Sequence, residues 1–429
     1  MNMKGISFYT ILTIALAGLV FVLTNHYSQI LLTQTILARR DFTQLILVAQ
    51  AINEGISLQT PIPDLVQRYL GVSAKNTNPH PTPYFVFLPW LFSFFTEYND
   101  VYTISLFWFY LTVLFLIGSI YLVLREFCEV LPSALGGVFG ALLLILFSQP
   151  FFNELMLGGV GSFLLFLLCS MFSFYRVGSF VAAGGLCAVM NLVKPLYAGV
   201  CLVMLLERSK KMLISFFSCI IWLVSVLFFF LYSTDCVEAF FSSAREVSRL
   251  WGQYFVNYSL LSVYAKLAAS PDYEMLSRAA GKPPVFVQNI GNLSPLSMVM
   301  IFSRMSGLFV AAMLFYRIIK SPSANSCLFF RLATLSVIIM PVCWDHYFLV
   351  LVPLVIVEYF HKNPSFFVVA TLVLLLHLYH INVTRALFMS FAPGPHQIPF
   401  FLRVVSCVPT ALVVGVLWVV SSPKKISDH

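Results

Sequence analysis

The chain has 429 residues, of which 60% are hydrophobic and 10% charged, and its mean hydropathy is +0.90. A soluble domain carries about 25% charged residues, so this composition excludes a soluble enzyme and points to a polytopic membrane protein. The formal net charge of +8 reflects Lys and Arg held in cytoplasmic loops and requires no nucleic-acid partner. The cysteines fall mostly inside apolar runs with no CxxC pair and read as small buried hydrophobes. No P-loop, GxGxxG or HExxH signature occurs.

In chain order, the first apolar run, 6–24, is expected as a retained first helix, because no small-residue cleavage site follows it. A long polar loop, 25–100, comes next. Within it, Asp41 to Gly55 has a helical period, with Gly55 as the stop, and is expected to lie flat at the membrane interface. Asp41 opens this helix, where the helix N-terminus stabilises a carboxylate. It reads either as an N-cap or as a base that takes a proton from an acceptor hydroxyl. Arg39 and Arg40 precede it, as lipid head-group anchors or as phosphate ligands. Asn78 to Tyr84 is a rigid Pro-rich approach to the next apolar run, and its His80 is structural or substrate-binding.

Further runs near the roughly 20 residues that span a bilayer lie near 101–124, 131–148, 159–175, 212–232, 297–318, 327–342, 347–360, 365–381 and 400–420. Between 179 and 207 the apolar pattern is broken at Lys194-Pro195. Proline and the residue before it both resist helix continuation, so two short helices turning back at Lys194 are expected. That gives about twelve crossings of one integral membrane domain, 1–429. The positive-inside rule agrees. With both termini cytoplasmic, the short inner segments hold Arg125, Arg176, Arg208, Lys210, Lys211, Arg317, Lys320 and Lys362, while the outer turns 149–158 and 341–346 hold no Lys or Arg. Reading 179–207 as one crossing would put Arg208, Lys210 and Lys211 outside.

Lys194, at the tip of the broken pair, either snorkels to the interface or offers a point charge to a lipid phosphate. Glu154, in a short outer turn with Asn153, is a candidate second acid or substrate ligand. The second long outer loop, 233–296, contains Arg249, Gln253, Tyr254 and Asn257. Mixed aromatic and amide groups suit either sugar binding or an interfacial aromatic belt. Trp344-Asp345-His346-Tyr347 packs four polar-capable groups between two apolar runs, as a site wall or an anchor. In this topology all these groups fall on one side of the membrane, which points to a single external site.

Taken in order, these segments resemble the membrane glycosyltransferases of the GT-C fold, and most closely glycosyltransferase family 87. The resemblance is carried by Asp41 with its helix, the Pro-rich Asn78 to Pro89, Lys194-Pro195, Arg208 with Lys210-Lys211, Asn257-Tyr258-Ser259-Leu260, and Pro341 to Tyr347 before a helix with Pro353. It implies an all-α polytopic bundle with two long outer loops carrying short interfacial helices. It further implies an inverting hexosyltransferase that takes a sugar, mannose in the characterised members, from a polyprenyl-phosphate donor. The acceptor would be a hydroxyl of a glycan or glycolipid at the outer face of a bacterial inner membrane. Asp41 would be the base, and Arg39, Lys194, Arg249 and His346 would hold the donor phosphate. His80, Glu154, Gln253, Tyr254, Asn257, Trp344 and Asp345 would contact substrate. Side chains alone can hold a lipid phosphate, so no cofactor is required, and a divalent metal is compatible. One departure is Gly158-Gly159-Val160-Gly161, where the family often has a Gly-Gln-x-Asn-like run. The competing readings are a lipid-linked glycan polymerase or ligase, and a transporter. A transporter wants internal repeats and midplane charges. No repeat is visible, and Arg304 and Arg331 are the charges nearest to lying within apolar runs.

Overall fold

A computed structural model describes residues 18, 41–72, 87–127, 149–206, 210–231, 238–239, 241–243, 257–268, 273–276, 285–288, 298–321, 325–341, 343, 345–361, 363, 365–378 and 400–422. They are predominantly helical. Among them, three helices are long and apolar enough to cross a membrane, and six shorter apolar helices accompany them. The chain divides into two compact units: Met1–Gly137 with Phe151–Pro195 and Met204–Ala244, and Val138–Pro150 with Leu196–Val203 and Arg245–His429. The expected crossings at 6–24 and 131–148 lie outside the described residues, apart from residue 18.

The first unit begins with α1 (Asp41–Asn53), α2 (Ile62–Leu70), α3 (Phe87–Thr96) and α4 (Val101–Arg125). It continues with α5 (Gln149–Leu157, whose first two residues belong to the second unit), α6 (Gly161–Arg176), α7 (Phe180–Val193) and, after α8 (Cys201–Leu206), α9 (Lys210–Leu231). The stop expected at Gly55 is present, with Gly55 at φ 66° just beyond α1. The interfacial placement of α1 is not. Residues 42–49 are all buried, Thr43 and Gln44 included, so no face of its first two turns meets solvent or lipid. The cause is the unbroken apolar stretch Leu45–Ala49. It coats the whole circumference, and a helix that is apolar all round is a core helix. α1 packs on α2, α3 and α4, and Asn53 Nδ2 donates to Ser93 O (2.8 Å) and to Thr96 Oγ1 (3.2 Å) on α3.

α4 and α6 run parallel. Trp108 near the start of α4 meets Gly158 and Gly159 just before α6, and Arg125 at its end bonds Ser173 near the end of α6. Ser173 Oγ in turn donates to Glu126 Oε1 (2.6 Å). A turn through Gly178, at φ 77°, reverses the chain into α7. The helix breaks at Lys194, as the Lys-Pro pair predicts: α7 ends at Val193, Lys194 is extended, and a 3-10 helix spans Pro195–Val200. α9 then lies parallel to α7. Ser215 Oγ donates to Val181 O (2.7 Å), and Cys219 meets Gly185 O one turn further along both helices. Gly184 permits this approach, because a Cβ there would strike the Met212 carbonyl. Close packing of small residues is the usual means of joining helices in lipid. Because the two helices are parallel, Lys210 and Lys211 share an end of the unit with Arg176. α9 therefore starts at the same end of the unit as α7.

The second unit contains a 3-10 turn at Leu260–Ser262, α10 (Val263–Ala268), α11 (Met298–Lys320), α12 (Asn325–Ile339), a 3-10 helix at Asp345–Val350, α13 (Leu351–Phe360), α14 (Phe366–Leu378) and α15 (Phe400–Val420). Between α10 and α11, Tyr273–Leu276 (β1) and Val285–Gln288 (β2) form one short antiparallel pair in an otherwise helical fold, with Tyr273 opposite Gln288 and Leu276 opposite Val285. Val285-Phe286-Val287 is β-prone, and the pair lies in the long second loop, where open strand edges do not face lipid. The segment 257–268 rests on the first turns of α11: Ser303 Oγ donates to Leu261 O (2.7 Å) and accepts from Ala265 N (3.0 Å). Gly307 is required there, since a Cβ would approach Leu260 O to 2.8 Å. At the far ends of α11 and α15, Arg317 lies 3.7 Å over the Trp418 ring and donates to Ser422 Oγ (3.0 Å).

Arg331, one of the two charges in apolar runs, is held in a fork by Glu358. Nε meets Oε1 at 2.7 Å and Nη2 meets Oε2 at 2.9 Å, with both side chains buried. Ser321 and Asn363 complete the cluster. Removing one member of a buried pair leaves the other charge uncompensated, at about 3–5 kcal/mol. Arg331→Met is expected to lower thermal stability in detergent sharply, and Arg331→Met with Glu358→Leu to regain most of the loss, as read by thermal unfolding of the purified protein.

Candidate functional site

At one end of the first unit, Asp41 occupies the first turn of α1 and is partly buried. The next residue, Phe42, stacks face to face on Trp108 of α4 (centroids 4.4 Å apart, planes at 2°) and edge-on to Phe92 of α3 (5.2 Å). Trp108 Nε1–H points at Gly158 O (3.2 Å) and Gly159 O (3.3 Å). One turn earlier on α5, the buried Glu154 carboxylate accepts the Ser162 backbone N–H at 2.6 Å. It thereby caps α6, where a helix N-terminus favours negative charge. The expected short turn at Glu154 is therefore a correction: Glu154 lies on a helix, and its carboxylate is engaged with Ser162.

This packing gives the glycines of the 158–161 run a physical reason. Gly158 has φ 61°, its carbonyl and that of Gly159 take the indole N–H, and a Cβ on Gly161 would lie 2.9 Å from Glu154 Oε2. Backbone carbonyls and a cap fill the place where polar side chains were looked for.

Of the other acids among the described residues, Asp64, Glu97 and Glu238 are exposed, and four more have visible tasks. Glu54 pairs with Arg68 (2.8 Å), Asp100 accepts the Thr103 N–H at the start of α4 (2.8 Å), Glu126 accepts from Ser173, and Glu358 holds Arg331. The Asp100 carboxyl is held below its ordinary value, chiefly by that Thr103 backbone bond. Among the described residues, Asp41 is a partly buried carboxylate that makes no hydrogen bond or ion pair. Lys194, partly buried, ends α7 with its N–H on Met190 O (3.1 Å).

In the second unit the structure joins two segments that are far apart in sequence. Asn257 is fully buried, and its amide is committed to backbone. Nδ2 donates to Pro341 O (3.0 Å), while Oδ1 accepts from Cys343 N (2.8 Å) and Ser259 N (3.0 Å). Tyr258 N donates to Cys343 O (2.7 Å), and Thr410 Oγ1 of α15 donates to Tyr258 O (2.7 Å). Asn257 thus clamps the strip that leads to Asp345 and His346. His346 is buried, edge-on to Tyr347 at 4.4 Å. Arg39, His80, Arg249, Gln253, Tyr254 and Trp344 lie outside the described residues, as does the Asp345 side chain.

Three residues escaped the sequence reading. Trp108 looked like one more aromatic in an apolar run. Lys266 is a solitary Lys in a mixed loop, yet it is buried, with Nζ donating to Asn257 O and lying 5.6 Å from the Tyr258 ring centre. Arg403 of α15 donates to Leu267 O (2.9 Å) at the end of α10. No spacing motif marks any of them. Among the described residues no three His, Cys, Asp or Glu side chains are grouped to hold a metal.

Apolar helices long enough to cross a bilayer, with polar clusters gathered at their ends, define an integral membrane protein. A model of glycosyltransferase family 87 matches residues 80–344, more than half of the chain. The chain belongs to glycosyltransferase family 87 and is a membrane glycosyltransferase. The match includes His80, Glu154, Lys194, Arg249, Asn257 and Trp344; Asp41 precedes it and His346 follows it. No curated protein sequence matches the chain.

Asn257→Ala leaves the Cys343 N–H and the Pro341 carbonyl without their partners, at roughly 1–3 kcal/mol for each buried group. The variant is expected to insert normally, while the amide of Cys343 exchanges at least about tenfold faster. Hydrogen exchange over 341–347 measures this, with α7 as the internal control.

Proposed function

We propose that the protein is an inverting hexosyltransferase that moves a sugar, mannose by family resemblance, from a polyprenyl-phosphate donor to a hydroxyl of a glycan or glycolipid. Asp41 acts as general base. It takes the proton of the acceptor hydroxyl as that oxygen attacks the anomeric carbon, and the bond to the lipid phosphate breaks on the opposite face. The leaving phosphate gathers negative charge, and fixed cations stabilise it most where water is excluded. Lys194, His346, Arg39 and Arg249 are assigned this role, and His80, Gln253, Tyr254, Trp344 and Asp345 contacts to the sugars. Glu154 and Asn257 act as supports of the site through Ser162 and Cys343.

The observation that carries the reading is the state of Asp41. A carboxylate at the head of a buried helix, partly buried and not engaged by any described group, has the exposure and freedom that a base needs. The acids buried more deeply, Glu154 and Glu358, are bonded, and the other unbonded acids among the described residues, Asp64, Glu97 and Glu238, are exposed.

The same reading sets the site on the outer face of a bacterial inner membrane, in a single membrane domain of about twelve crossings with both termini cytoplasmic. Charge within each unit supports it. In the first unit, Phe42, next to Asp41, stacks on Trp108 of α4, and Arg125 lies at the end of that helix, about 25 Å from Trp108 at 1.5 Å per residue. In the second, Ser303 beside the 257–268 segment and Arg317 are about 21 Å apart along α11.

Asp41→Asn keeps the shape of the side chain and removes the base. Transfer from radiolabelled polyprenyl-phosphate sugars, measured in membranes, is expected to fall by about 10²–10⁴-fold with insertion unchanged. Full transfer by this variant would return Asp41 to the role of a helix-end residue.

A further inference from the structure

We propose that Arg304 of α11 binds the phosphate of a membrane lipid. Four arginines of the second unit are among the described residues. Arg331 is forked by Glu358, Arg317 lies over the Trp418 ring and donates to Ser422, and Arg403 donates to Leu267 O. Arg304, by contrast, makes no hydrogen bond, ion pair or ring contact among the described residues. It is partly exposed and stands at the border of the face that α11 buries. One turn away on either side, Met300 and Gly307 are buried, while Ile301 and Leu308 are exposed. A guanidinium within an apolar helix is costly to leave without a counter-charge. Its planar fork fits a phosphate bidentately.

The height of Arg304 on its helix sets the class of ligand. α11 has 23 residues, about 34 Å at 1.5 Å per residue, slightly more than the roughly 30 Å of a hydrocarbon core. Arg304 lies about 9 Å along the axis from Met298. Side chains on a helix lean toward its N-terminus, so this guanidinium leans out of the hydrocarbon toward the nearer head groups. Just before it, Phe302 packs on Tyr264 with ring centroids 5.2 Å apart, both rings exposed. A tyrosine at the membrane boundary marks the head-group level. On the other side of Arg304, the exposed residues Met305, Leu308 and Ala312 form an apolar track along the helix. A lipid lying on this track puts its chains against apolar side chains and its phosphate at Arg304, whereas a free phosphate gains nothing from the track. The 257–268 segment rests at the same level through Ser303 and holds Pro341 and Cys343 ahead of His346.

The site does not depend on the proposed transfer reaction, and its test needs neither sugar nor turnover, so the two fail separately. Full-length protein in detergent is mixed with phosphatidylglycerol, with polyprenyl phosphate, and with diacylglycerol as a phosphate-free control. Native mass spectrometry reads the fraction that carries each lipid. Arg304→Gln is expected to lower retention of at least one of the two phosphate lipids about tenfold or more, the scale of losing a hydrogen bond to a charged group, with diacylglycerol unchanged. Arg304→Lys keeps the charge and should retain most of the binding. A loss confined to polyprenyl phosphate identifies a donor-type lipid as the occupant, and a loss confined to phosphatidylglycerol identifies a lipid of the surrounding bilayer. Equal retention of both phosphate lipids by the wild type and Arg304→Gln overturns the proposal, as does a loss that extends equally to diacylglycerol. Arg304→Met, which suits a lipid-facing position, repeats the test should Arg304→Gln fail to fold.

Discussion

The stack of Phe42 on Trp108 fixes the end of the first unit on which the proposed chemistry depends. The first two turns of α1 are buried on every side and must find partners all round. The indole supplies one of them while its N–H satisfies carbonyls of the glycine run before α6. One aromatic contact thereby joins three stretches of chain: the helix that starts at Asp41, the long helix α4, and the α5–α6 turn with Glu154. In a membrane the hydrophobic effect does not drive helices together, so such contacts set the geometry. A base held at the head of α1 inherits the rigidity of that stack.

The second unit works by a different device. There the Asn257 side chain takes up the Pro341 carbonyl and the Cys343 N–H, just ahead of the 3-10 helix that begins at Asp345. An amide suits this task because it both donates and accepts. The device also ties together two of the segments that carry the resemblance to family 87: Asn257-Tyr258 and Cys343 are the halves of one joint. Away from these ends, Arg331 and Glu358 neutralise each other in place. That fork accounts for one of the two charges that had kept a transporter among the competing readings, and family membership favours transfer chemistry over transport.

Much of the helical framework was legible in the sequence. The apolar runs from 101, 159, 212, 297 and 400 became helices, and the break at Lys194-Pro195 follows from proline chemistry alone. What could not be read concerns which surface a helix buries. Asp41 to Asn53 has enough polar residues to suggest an interfacial helix, and only its neighbours decide that it is core. The roles of Glu154 and Asn257 were hidden for a related reason. Both were read as reaching outward to substrate, and both are taken up by backbone N–H groups that no spacing rule reveals. Lys266 and Trp108 were illegible because their partners come from distant sequence, at Asn257 and at Gly158-Gly159.

The central claim is transfer of a sugar from a lipid phosphate with inversion. Its most direct test is a donor panel with purified protein in lipid: polyprenyl-phosphate hexoses, polyprenyl-pyrophosphate glycans and nucleotide sugars, with the anomeric configuration of the product read by NMR. The account predicts transfer from a polyprenyl-phosphate hexose alone and a product of opposite configuration at the anomeric carbon. Transfer from a pyrophosphate-linked glycan, or a product that retains configuration, would contradict it.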